Sequence, residues 1–155
     1  MMDEDSNSFI DIIKNKYGLS SAREWQRVLS YFEFENGFSL IIIVVPDKYC
    51  ELLCREEITS IFSKKNVGKE FINVLSSDIN NFDINNLLKG STNSFVWISG
   101  VCHYYDNDFN LIKDNWKHIF ELLNKYRNNI RNKIKNPVFL VFPSWTSILF
   151  RDSAP

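Results

Sequence analysis

The chain of 155 residues is 45% hydrophobic and 24% charged, with 5 Gly and 4 Pro. That composition suits one compact domain with a single core and excludes a disordered or fibrous chain. Its 18 basic and 19 acidic residues leave a formal charge of −1, so no global field draws it to nucleic acid or to an anionic membrane.

Three cysteines, Cys50, Cys54 and Cys102, are an odd number in a chain that is not loop-rich, which argues against a disulfide framework and for the reducing cytoplasm. Met1 to Ser8 is acidic and polar, unlike a secretory signal. The longest apolar run, Phe38 to Val45, is stopped by Pro46, well short of the about twenty residues that a membrane helix needs.

From Ser8 to Tyr17 the apolar residues recur near helical spacing, and Gly18 stands where a C-terminal cap belongs. Ser21 to Glu24 reads as a capping box for a second helix carrying Trp25, Val28, Leu29 and Phe32 on one stripe. Residues 1–34 are therefore expected to be a helical extension packed on the α/β domain of residues 35–155. Glu35, Asn36 and Gly37 form a turn, and Phe38 to Val45 has the pattern of a strand covered on both faces.

Asp47 is placed to cap a helix through Phe62, closed by Lys64, Lys65, Asn66 and Gly68. A short strand, Phe71 to Leu75, a polar loop, Ser77 to Asn81, and a short helix capped by Asp83 and ended by Gly90 come next. Phe95 to Val101 is a third strand, followed by a loop from His103 to Asp108 and one long helix from about Asn110 to Ile134. Pro137 opens a fourth strand, Val138 to Phe142, and Ser144 can cap a last helix. Strand and helix alternate throughout, which predicts an α/β fold of three layers around a mostly parallel sheet of at least four strands, P-loop-NTPase-like or Rossmann-like in class.

Ligands of such sheets bind beyond the carboxyl ends of the strands. Those positions hold Pro46 and Asp47, Ser76 to Asp78, Cys102 to Asp106, and Pro143 to Trp145. A phosphate loop needs glycines followed by Lys and Ser or Thr after the first strand. Val45-Pro46-Asp47-Lys48-Tyr49 has neither, and Gly68-Lys69 precedes a strand instead of following one.

Cys102 and His103 invite a thiol-protease reading, but adjacent strand residues point to opposite faces, and buried packing of Cys102 is the simpler role. Cys50 and Cys54 share a helix face, with His103 and His118 as the remaining zinc donors, and core packing again outweighs a metal site. Asp106 and Asp108 could act as metal-binding or acid-base carboxylates, against helix capping by Asp108. The long helix is basic, with Lys117, Arg127 and Arg131 among its charges, which a solvated face or a docking surface for an acidic partner or nucleic acid would each explain.

The segment order includes Gly37-Phe38-Ser39-Leu40-Ile41-Ile42-Ile43, then Phe95-Val96-Trp97-Ile98-Ser99-Gly100, then Leu123-Asn124 followed by Arg127 and Arg131. Pro137-Val138-Phe139-Leu140-Val141-Phe142-Pro143 and Ser153-Ala154-Pro155 close it. Over Gly37 to Pro155 this order resembles the N-terminal α/β domain of bacterial multidomain proteins of the STAND and tetratricopeptide type, relatives of NLR-like immune sensors. The resemblance implies an NTPase-like domain that is often inactive, followed by further domains. Val101 and Cys102 stand after Gly100, where an active relative of the wider P-loop class would show acidic residues.

Together these readings lead to an expectation of a non-catalytic interaction or signalling module of an antiphage conflict protein. It would need no cofactor, and its partners would be other domains of its own polypeptide or an effector. The partner-facing residues would be Trp25, Lys117, Arg127 and Arg131. The alternatives are a sensor that binds a nucleotide or small molecule through Asp47, Cys102, His103, Ser144 and Trp145, or an enzyme using strand-end Asp or Cys residues.

Overall fold

The computed structural model describes residues 4–34, 37–76, 79, 82–90 and 93–153. The expected turn at Glu35 and Asn36, most of the loop from Ser77 to Asn81, and the closing Ala154 and Pro155 lie outside the described residues. Contacts divide the chain into two compact units, Met1–Asn36 and Gly37–Pro155.

The first unit is a helical hairpin, α1 (Glu4–Tyr17) and α2 (Leu19–Phe34). Gly18 joins them at φ 99°, a left-handed conformation that glycine adopts without steric cost, and its amide bonds to the Lys14 carbonyl at 3.0 Å. The same residue starts α2, because the Ala22 amide bonds to the Gly18 carbonyl. Ser21 therefore lies inside the helix and donates its hydroxyl back to the Tyr17 carbonyl, so the expected capping box does not form. Phe9 and Trp25 meet edge to face with ring centroids 5.2 Å apart.

The second unit is a parallel sheet of β1 (Leu40–Val44), β2 (Gly68–Asn73), β3 (Ser94–Ser99) and β4 (Val138–Phe142) in the order β1-β4-β3-β2. Helix α3 (Lys48–Lys64) carries the chain from β1 across the sheet to β2 on one face. The chain then steps back through α4 (Ile84–Gly90), α5 (Phe109–Lys125) and α6 (Arg127–Lys133), and ends in α7 (Thr146–Ser153). Steps in opposite directions place right-handed crossovers on opposite faces, so three layers result.

Asp47 caps α3 by accepting the Cys50 amide at 2.8 Å, and Asp83 accepts the Asn85 amide at the start of α4. Asn66 at φ 59° closes α3, with its own amide on Ser63 and the Val67 amide on Phe62. Expectation and structure part at the long helix, which is two helices separated at Tyr126. Asp108 also makes no side-chain cap bond, because its φ and ψ of −93° and 11° are not those of an extended cap residue.

Side chains of the inner strands alternate between the two layers. On the α3 side, Phe95, Trp97 and Phe139 pack with Phe62, with the Trp97 and Phe139 ring centroids 5.3 Å apart. On the opposite side Val96, Ile98, Val138, Leu140 and Phe142 join Trp116 and Phe120 of α5. The expected cover on both faces of the first strand holds for one face, where Ile43 and Val45 are buried, and fails on the other. β1 is an edge strand, and Leu40, Ile42 and Val44 are 45%, 41% and 51% exposed.

Gly100, just past β3, is fixed by crowding. A Cβ there would stand 2.9 Å from the Val74 Cβ and 3.2 Å from Trp116 Nε1, which itself donates to the Gly100 carbonyl. Gly100→Ala is expected to destabilise the chain by about 1–3 kcal/mol, read as a lower denaturant midpoint at unchanged slope. An unchanged midpoint would contradict this packing.

Candidate functional site

Parallel strands bring all their carboxyl ends to one end of the sheet. β1 and β4 are neighbours whose chains leave to opposite faces, into α3 and into α7, which makes their ends the topological switch point of the sheet. Asp47, Cys102, His103, Ser144 and Trp145 all fall at this end, as the alternation of elements implied. Gly68-Lys69 instead opens β2 at the other end.

What these groups do there is mostly structural. The Asp47 carboxylate holds the α3 amide. Trp145 Nε1 donates to the Cys102 carbonyl, tying the β4 exit to the β3 exit, and its ring meets Phe109 at 4.8 Å. Ser144 is exposed, and its carbonyl receives the Ser147 amide. The His103 ring stacks on Tyr105 at 5.3 Å, while the Cys102 thiol faces the His103 carbonyl at 3.6 Å. The two therefore form no thiol-imidazole pair. Cys50 and Cys54 touch at 3.9 Å between sulfurs inside the core, and the hydrogen bond with Cys50, together with burial, pushes the Cys54 thiol up. Among the described residues no three His, Cys, Asp or Glu side chains group as a metal site.

The turn after β3 is held by Asp106, whose carboxylate accepts the His103 amide at 2.9 Å. That bond, more than the thiol of Cys102 or the charge of Lys48, holds Asp106 below the ordinary carboxylate range. Burial first, then Asp106, pushes the Cys102 thiol up. Cys102 is 4% exposed and stays a thiol at neutral pH.

A second arrangement lies along β1. Phe38, Ser39 and Leu40 face Leu123, Arg127 and Arg131 across a groove of about 630 Å³. Arg127 and Arg131, read from the sequence as partner-facing, are exposed on α6 and meet there. Lys117 is exposed on α5 and does not line the groove. Trp25 is 8% exposed, which takes it out of the partner-facing set. The hydroxyl of Ser39 is buried with no hydrogen-bond partner among the described residues.

Ladder bonds show which way β1 points. Val138 donates to the Ser39 carbonyl and Val45 donates to the Phe142 carbonyl, so residues 39, 41, 43 and 45 bond to β4. The amides and carbonyls of Leu40, Ile42 and Val44 consequently face the open edge. The two edges of the sheet differ in how they are guarded. β2 carries Lys69 and Glu70, and the cations of Lys69 and Arg55 lie 5.5 and 5.2 Å from the Phe71 ring centroid. β1 is Leu-Ile-Ile-Ile-Val with no charge. The sequence reading missed Leu40, Ile42 and Val44 as surface residues, because an uncharged apolar run has the same pattern as an inner strand. Only strand order separates the two.

At the strand ends the charge network sets a pH dependence. A carboxyl whose folded value is depressed adds stability above its unfolded value and loses it as pH falls through the folded one. The turn at Asp106 is therefore expected to loosen only below about pH 4, with the His103 amide resonance titrating there and ceasing to titrate in Asp106→Asn. A titration of that amide near neutrality would contradict the assignment. Iodoacetamide is expected to modify Cys102 at neutral pH at least about tenfold more slowly than in the unfolded chain.

No helix among the described residues is long and apolar enough to cross a membrane. Comparison with protein-family models, with curated proteins and with solved structures returned no match.

Proposed function

We propose that the domain is a protein-interaction module that receives an extended segment of a partner along the open edge of β1. The observation that carries this reading is the unguarded edge itself. Three amide and carbonyl sets without a partner among the described residues and three exposed apolar side chains lie beside a groove ending in two arginines. An added strand supplies main-chain hydrogen bonds, and alternate side chains seat against Leu40, Ile42 and Val44. Arg127 and Arg131 select acidic residues at the end of that segment.

The setting in a bacterial antiphage conflict protein, with further domains of the same polypeptide or an effector as partner, is supported by the segment order alone. The reading assigns no catalytic step to Cys102 or Asp106, whose polar atoms hold the turn after β3.

The test uses a short labelled peptide alternating valine and glutamate, followed by fluorescence anisotropy. Ile42→Pro removes an amide that faces the open edge, at a position where edge strands tolerate proline. Binding is expected to be lost in Ile42→Pro and to weaken about tenfold or more when Arg127 and Arg131 are both changed to Glu. Equal binding of a valine-lysine peptide, no binding of the valine-glutamate peptide to the unmodified chain, or indifference to Ile42→Pro would overturn the reading.

A further inference from the structure

At the far side of the sheet from β1, a separate cavity of about 260 Å³ opens at the carboxyl ends of β2 and β3, against the first turns of α3. Its chemistry comes from one helical stripe. Lys48, Glu51, Leu52 and Arg55 follow at i, i+3, i+4 and i+7, so three charged residues lie on the face of α3 that looks at the sheet. Such a stripe is ordinarily apolar.

Glu51 is the unusual member. It is 7% exposed, and burial of a carboxylate is costly unless the charge is paired and hydrogen-bonded. Both of its contacts fall on one oxygen. Oε1 accepts Trp97 Nε1 at 2.9 Å and lies 3.8 Å from the Arg55 guanidinium, while Oε2 makes no hydrogen bond among the described residues. Arg55 in turn lies over the Phe71 ring, 5.2 Å from its centroid. Lys48 forms no ion pair among the described residues, although its charge acts through space on Asp106.

The lining thus presents two cations, one half-satisfied carboxylate and an apolar wall of Leu52, Phe71 and Leu75. The ammonium of Lys48 favours an anionic group, the free oxygen of Glu51 accepts a hydrogen bond, and the wall takes a flat apolar body. From these features we infer that the cavity is a binding site for a small organic anion, one negative charge on an aryl or compact apolar frame that also carries an O–H or N–H donor. The site shares no residue with the β1 groove, so it stands or falls independently of the interaction reading.

The test is an amide-resolved NMR titration of the whole chain with three probes of one shape: para-hydroxybenzoate, para-hydroxybenzamide and para-hydroxybenzylamine. The benzoate is expected to shift the amides of Lys48, Leu52, Asn73 and Gly100 saturably, and the neutral amide and the cationic amine are expected to bind about fivefold or more weakly. Lys48→Ser, which removes an exposed side chain with no hydrogen bond or ion pair among the described residues and leaves the fold's amide spectrum in place, should weaken the benzoate by about the same factor. Lys135→Ser, at an exposed residue far along the chain, should not. Binding of the amine or the amide as tight as that of the benzoate, an unchanged affinity in Lys48→Ser, or the absence of a saturable shift with all three probes would overturn the assignment.

Discussion

In a four-stranded parallel sheet only two strands can be bonded on both sides and covered on both faces, and here these are β3 and β4. Every other feature of the second unit adjusts to that constraint. Phe95, Val96, Trp97 and Ile98 of β3, and all five residues of β4, are buried. Their alternate side chains form the two halves of the core, one closed by α3 and the other by α4 to α7. The strands outside them must each leave one edge of unpaired amides and carbonyls, and the protein treats its two edges differently. β2 is guarded by charge around Phe71, whereas β1 is bare. An uncharged edge invites pairing with another chain, which makes it a hazard in a protein with no use for it and a docking site in one that has a partner.

The inner strands also hold the polar anchors that locate the helices. Trp97, on the α3 side of β3, donates to Glu51 and fixes the face of α3 that looks at the sheet. On the other side Trp116 donates to the Gly100 carbonyl, and Asn115 donates to the Val74 carbonyl at 2.9 Å. Each bond satisfies a group that burial would otherwise leave without a partner, at a cost of about 1–3 kcal/mol for every one missing. The helices are therefore held in register as well as by apolar contact. The cavity beside α3 adjoins the first anchor, because Glu51 bonds Trp97 with one oxygen and also lines the opening.

Much of the layout was legible in the residues. Alternating apolar runs and amphipathic segments gave the parallel sheet in three layers, and Asp47, Asp83 and Gly18 marked helix ends where the structure has them. The strand-end residues were placed at one end of the sheet by the same logic. Misreadings arose where a local pattern has two physical meanings. Ser21 and Glu24 fit a capping box, yet the carbonyl of Gly18 had already begun the helix. A continuous stripe from Leu111 to Ile130 fits one helix, yet Tyr126 interrupts it and sets Arg127 and Arg131 on a separate turn beside β1. Phe38 to Val45 fits an inner strand, and nothing local says which neighbours it will have. The charged stripe of Lys48, Glu51 and Arg55 was not singled out from the residues, because only the position of Trp97 shows that it faces inward.

The claim on which the interaction reading rests is that the edge of β1 is open in the isolated chain. Residue-resolved hydrogen exchange tests it directly, since alternate amides of one strand point in opposite directions. The account predicts slow exchange at Ile41, Ile43 and Val45, which bond to β4, and fast exchange at Leu40, Ile42 and Val44, with protection of the second set appearing only when a partner segment binds. Uniform protection of all six amides in the isolated chain would mean that the edge is already covered, and would contradict the account.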